Sequence, residues 1–160
     1  MLIQSFNINS VKKTQIIASS LYQVSMLGDM FALYGDIGVG KTTFIKYFIN
    51  QAINKVNVTS PSYNLYFKYN SSKAPIYHMD AWRLECENEI LNLGIHDYFQ
   101  EAIFLIEWAE KVESFLPTNK LKINMNYKNN IRSISFYGNE TWKKRLRKKF
   151  SRDFIEKSLR

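Results

Sequence analysis

The sequence predicts an α/β fold with a mostly parallel central sheet, and three observations predict it. Short continuous apolar runs recur, Met30-Phe31-Ala32-Leu33-Tyr34 and Ala102-Ile103-Phe104-Leu105-Ile106, as strands buried on both faces of a parallel sheet require. Segments with apolar residues at helical spacing alternate with such runs. A glycine-rich loop, residues 35–40, joins the first run directly to one of those helical segments. At 160 residues, 46% hydrophobic and 22% charged, the chain suits one domain with a real core and is too apolar to be disordered along most of its length.

Taken in order, Leu2 to Ile8 alternates weakly, as an edge strand does, and Ser10 offers an N-cap to a helix over Val11 to Met26, broken by Gly28-Asp29. Met30 to Tyr34 is a buried strand; after the glycine loop, Phe44, Ile45, Phe48, Ile49 and Ala52 mark one face of a helix from Lys41 to Ile53. Val56 to Tyr69 reads as an entry segment followed by an aromatic strand. Pro75 to Asp80 is a further strand, ending in a carboxylate, and Glu87 to Leu93 is a short helix closed by Gly94. Ala102 to Ile106 runs straight into Glu107-Trp108. Leu121 to Tyr127 and Ile131 to Tyr137 form a hairpin across Lys128-Asn129-Asn130.

Charge is concentrated at the end. The net charge is +8, yet residues 141–160 alone carry nine Lys or Arg against Asp153 and Glu156, so the first 140 residues are nearly neutral. Trp142, Leu146, Phe150 and Phe154 recur every four residues there, which puts one apolar ridge on a helix otherwise covered in cations. Packing on the body with a solvated basic face is the simplest account; contact with RNA phosphates is the sharper one. The expected organisation is one domain over residues 1–140 with residues 141–160 as its basic amphipathic extension. Cys86 is the single cysteine, so no intramolecular disulfide forms and a reducing, cytoplasmic location is expected. No apolar run approaches the ~20 residues of a membrane span. The start shows no basic leader followed by an apolar block, and no signal peptide is expected.

The most specific stretch is Gly35-Asp36-Ile37-Gly38-Val39-Gly40-Lys41-Thr42, followed by Thr43, which fills every fixed position of G-x-x-x-x-G-K-[ST]. Its glycines let successive N–H groups turn inward as an anion nest, and the following helix aims its positive end at the same point. Lys41 supplies charge for the β- and γ-phosphates and the Thr42 hydroxyl is a ligand for Mg²⁺. Hydrolysis needs, in addition, a carboxylate at the end of a nearby strand. Glu107 and Asp80 both qualify, and Glu107 is the better metal ligand because its strand is more continuously apolar. Thr59, in Val58-Thr59-Ser60-Pro61, either closes over a γ-phosphate as switch segments do or forms an ST-turn ahead of Pro61; on the residues alone the turn is the simpler account.

In their order and spacing, "GDIGVGKTTF", "VTSPSYNL", "YHMDAWRLE", "LGIHDYF" and "LIEWAEKVESFLP" resemble the TsaE (YjeE) family, small P-loop ATPases of threonylcarbamoyladenosine tRNA modification. The likeness runs from about Phe6 to Tyr137. It implies a P-loop NTPase-like three-layer sandwich with a C-terminal β-hairpin and, here, a basic C-terminal helix. It further implies ATP and Mg²⁺ as cofactors, phosphates held from Gly35 to Thr43, and Mg²⁺ ligated by Thr42 and Glu107. Asp80 then corresponds to the acid needed for hydrolysis, Thr59 to a switch-like threonine, Trp108 to a tryptophan beside the nucleotide, and Arg132 to an arginine near it. The implied partners are TsaD and TsaB, with tRNA reached indirectly or through the basic tail, and the implied activity is hydrolysis that is weak without the partners. Trp82 stands where the family usually has Tyr, and Ala109 where it usually has Pro. His78, a lone imidazole inside a strand, reads equally as a structural histidine. Two other functions remain open on the sequence: a nucleotide-gated binding module with little hydrolysis, and a small kinase, which the single arginine between residues 45 and 130, Arg83, disfavours.

Overall fold

The computed structural model describes residues 1–86 and 88–151. Seven strands form one sheet in the order β1-β7-β6-β2-β5-β4-β3, with β1 Leu2–Ile8, β2 Met30–Tyr34, β3 Tyr66–Asn70, β4 Pro75–Asp80, β5 Ile103–Glu107, β6 Leu121–Lys128 and β7 Ile131–Tyr137. The central strands β6, β2, β5 and β4 pair parallel, and β7 and β3 run against them. Because β1 pairs antiparallel with β7, five of the seven strands point the same way, and β1 takes the edge that its weak alternation predicts.

One face of the sheet is covered by three helices, α1 (Val11–Val24), α2 (Lys41–Ala52) and α4 (Glu140–Lys149). Phe31, Leu33, Ile103 and Leu105 of the central strands meet Ile17 and Leu21 of α1, Phe44 and Phe48 of α2, and Trp142 and Leu146 of α4. Each side chain of this kind, fully withdrawn from water, contributes about 1.5–3 kcal/mol. The opposite face, with Met30, Ala32, Tyr77, Phe104 and Ile106, is covered by short pieces only: α3 (Glu89–Asn92) and the 3₁₀ turns Ile95–Tyr98 and Ala109–Phe115. No described helix is long and apolar enough to cross a membrane.

Several boundaries differ from the sequence reading for local reasons. Helix α1 stops at Val24 rather than Met26 because Ser25 turns extended and its hydroxyl donates to the Tyr22 carbonyl at 2.7 Å. The Lys73 ammonium also donates to the carbonyls of Tyr22 and Gln23 at 2.8 and 3.0 Å, as a cation at a helix C-terminus does. Strand β3 begins only at Tyr66, after an irregular stretch in which Leu65 takes φ 66°. Strand β5 extends through Glu107, whose place in the ladder fixes its backbone against Leu33 on one side and Asp80 on the other.

The basic tail begins as the amphipathic helix that its spacing predicts. Asn139 caps α4 through a 3.0 Å bond from the Trp142 N–H, and Trp142, Leu146 and Phe150 are buried. The Trp142 indole N–H donates to the Asn119 carbonyl at 2.6 Å, and Arg145 pairs with both oxygens of Asp29 and with the Val24 carbonyl. Phe154, the fourth residue of the ridge, lies outside the described residues.

Candidate functional site

The C-terminal ends of β2, β4 and β5 converge on the start of α2, and a cleft of about 370 Å³ opens there. Its floor is the glycine loop. Gly35 has φ 134°, and a Cβ on it would meet the Met125 carbonyl oxygen at 2.1 Å, so only glycine fits where the loop leaves β2 beside β6. Gly38 and Gly40 also adopt positive φ, 78° and 107°. Gly40 is the N-cap of α2 and brings no capping side chain, which leaves the first N–H groups of the helix facing the cleft for an anion. Val39 anchors the loop in the core, whereas Asp36, Ile37 and Gly38 are exposed at its rim.

Lys41 is 4% exposed and has no carboxylate bonded to it. Its ammonium donates to the carbonyls of Gly35 at 2.5 Å and Asp36 at 3.0 Å and sits 3.7 Å from the centre of the Trp108 ring, a cation–π contact. Burial pulls its pKa below the ordinary lysine value, against the opposing pull of Glu107, Glu110, Asp80 and Asp36. Trp108 holds this position with a left-handed backbone, φ 56° and ψ 42°, a conformation that a bulky residue adopts only where its surroundings impose it. Its ring stands 4.3 Å from that of Trp82, which is 45% exposed.

Two buried carboxylates face the loop from adjacent strands in paired register, Asp80 on β4 and Glu107 on β5. The Thr42 hydroxyl, one residue into α2, donates to Glu107, 2.9 Å from Oε1 and 2.8 Å from Oε2. His78 Nε2 lies 2.8 Å from Oε1. Asp80 accepts from the Ser60 and Ser62 hydroxyls at 2.5 and 2.8 Å through Oδ2, and from the Trp82 N–H at 2.9 Å through Oδ1.

Of the residues singled out by sequence, the fold brings Gly38, Gly40, Lys41, Thr42, Thr43, Asp80, Glu107 and Trp108 to the cleft, with Ile37 at its edge. It does not bring Thr59 or Arg132 to the cleft wall, nor the side chains of Asp36 and Val39, and Gly35 lies behind it beside β6. Thr59 is exposed, and the serines after it, Ser60 and Ser62, make the contact to Asp80 instead. Arg132 lies over the Tyr127 ring at 5.3 Å, with its Nε buried and unpaired. Among the described residues no three His, Cys, Asp or Glu side chains cluster to hold a metal unaided. Thr42 and Glu107 offer hard oxygen donors, which fit Mg²⁺ held by one or two protein oxygens plus those of a phosphate.

The family model for threonylcarbamoyl adenosine biosynthesis protein TsaE matches residues 8–134. The chain belongs to the TsaE family. The TsaE proteins of Bacillus subtilis and Haemophilus influenzae are similar to it, the first 39% identical over 114 residues, 70% of either chain, and the second 37% identical over 123 residues, 76% of this chain and 78% of the relative. The crystal structure of Bacillus subtilis YdiB superposes with a TM-score of 0.80 at 27% identity, covering 96% of this chain and 98% of that one. The TsaE match encloses the glycine loop, both carboxylates and His78, and stops short of α4.

Proposed function

We propose that this TsaE-family chain is an Mg²⁺-dependent ATP hydrolase that serves threonylcarbamoyladenosine formation at position 37 of tRNAs reading codons that begin with A, acting with TsaD and TsaB. One observation carries the reading: the Thr42 hydroxyl meets the Glu107 carboxylate at 2.8–2.9 Å where a glycine loop opens a helix whose N-terminus has no capping side chain. Such a pair suits the hydroxyl and acid that hold Mg²⁺ in P-loop NTPases.

In this reading Gly38, Gly40 and the first turn of α2 bind phosphate oxygens through N–H groups. Lys41 exchanges its two carbonyl acceptors and the Trp108 face for the phosphates. Thr42 and Glu107 hold Mg²⁺, which when bound neutralises charge on the terminal phosphates. Asp80, with Oδ1 and Oδ2 in reach of the cleft, orients the attacking water or takes its proton. Two serine hydroxyls and an N–H occupy those oxygens, which supports weak hydrolysis by the chain alone and a partner that draws the two serines away.

Phosphate release by the purified chain, with and without the TsaD–TsaB pair and with no acceptor present, tests the reading. Slow release that the pair accelerates, and that Lys41→Ala abolishes together with ATP binding, is the expected result. Absence of release even with the pair means a nucleotide-gated binding module, and ADP formation that requires an added acceptor means a kinase.

A further inference from the structure

His78 is fully buried in the middle of β4, yet only one of its two ring nitrogens has a partner. Nε2 lies 2.8 Å from Glu107 Oε1, while Nδ1 is withdrawn from solvent and has no hydrogen-bond partner among the described residues. A side chain kept for packing alone at this position has apolar solutions on every side, since its register partners are Phe67 and Leu105 and its chain neighbours Tyr77 and Met79. Burying an imidazole and leaving a nitrogen unpaired is costly, so the bond that Nε2 does make is what the residue is there for.

We propose that His78 is a positioning residue for Glu107. The inference rests on the reading of Glu107 and Thr42 as the Mg²⁺ oxygens. A carboxylate oxygen accepts, so Nε2 is the nitrogen that carries a proton and donates. The donor takes Oε1. Glu107 is thereby held by two elements at once, β4 through His78 and α2 through Thr42, and Oε2, which His78 does not touch, is the oxygen left to face the cleft beside the Thr42 hydroxyl. Partners behind a metal ligand fix its orientation in this way, and their loss typically lowers metal affinity 10–100-fold.

The test uses His78→Leu, which fills space without a donor, and His78→Gln, whose amide nitrogen reaches about as far as Nε2. Calorimetric titration of the full chain with ADP, in EDTA and in Mg²⁺, gives the gain in affinity that the cation confers. Expected is that His78→Leu binds ADP in EDTA within about twofold of wild type but loses about tenfold of the Mg²⁺-dependent gain, and that His78→Gln recovers it. A full gain in His78→Leu overturns the inference alone. Wild type that binds no ADP in either condition, or binds it without a gain from Mg²⁺, breaks the reading of the site itself and the inference with it. Nitrogen-15 NMR of the wild-type imidazole decides the matter without a variant that must fold: a proton on Nε2 is expected, and a bare Nε2 overturns the proposal.

Discussion

Asp80 and Glu107 end neighbouring strands at paired register, but Glu107 is held by groups that cannot leave and Asp80 by groups that can. The donors to Glu107 are a fully buried imidazole within the sheet and the second residue of a helix whose face is core. Two of the three donors to Asp80 are hydroxyls on a segment without regular structure, with Ser60 exposed and Ser62 half-buried. Val58 and Pro61 are buried anchors of that segment, but the two hydroxyls can leave Asp80 by side-chain rotation without withdrawing either. Withdrawing His78 or α2 means opening the core. One carboxylate is built as a fixture, the other as a group that a partner or ligand can release.

The largest effect that can break this contrast is on turnover. Asp80→Ala is expected to slow phosphate release in the presence of TsaD and TsaB by about 10²–10⁴-fold, the usual worth of a positioned acid or base, with ATP affinity by calorimetry little changed. Normal turnover in that variant removes Asp80 from the chemistry. A middle-sized effect sharpens the difference in mobility. Ser60→Ala with Ser62→Ala removes two hydroxyl–carboxylate bonds of about 1.5–3 kcal/mol each before compensation by water. Amide hydrogen exchange should accelerate over residues 57–65 and stay unchanged along β5; equal protection in the double variant and in wild type would make the loop as fixed as the strand. The smallest effect is on α4, far from both carboxylates, where Lys144, Arg147 and Lys148 are exposed. Neutralising them to Gln should alter stability by no more than about 0.5 kcal/mol for each residue, read from thermal unfolding. If the basic face meets tRNA phosphates, the salt slope of tRNA binding by the assembled TsaD–TsaB complex falls by about one per lost cation; an unchanged slope rules that contact out. Deleting residues 141–160 is the wrong instrument, because Trp142, Leu146 and Phe150 are core.

Where the sequence carries local chemistry, the structure follows it closely. The apolar run at Met30 to Tyr34, the glycines at 35, 38 and 40, and the ridge of Trp142, Leu146 and Phe150 each announce their backbone or their burial through neighbours a few residues away. Glu107 was legible for the same reason, as the acid that ends a run of buried apolar residues. Ser60 and Ser62 were not. Their contact with Asp80 spans 20 and 18 residues and depends on how an aperiodic segment folds, so local pattern singles out Thr59, the first hydroxyl after α2. His78 reads from sequence equally as a structural or a functional histidine, because nothing local says that a diagonal neighbour on the next strand is an acid. The left-handed turn at Trp108 is equally silent, since it is imposed by packing and a tryptophan does not advertise it.

That turn gives the chain an optical property. Of its three tryptophans, Trp142 is sealed in the core and supplies a constant background, whereas Trp82 and Trp108 lie 4.3 Å apart with the Lys41 ammonium over one of them. Two indoles so close couple as an exciton pair in circular dichroism, and a cation on the ring perturbs emission. Any anion that draws Lys41 out of the stack therefore changes the colour and yield of the protein's own fluorescence, so occupancy of the cleft reports itself without an added dye.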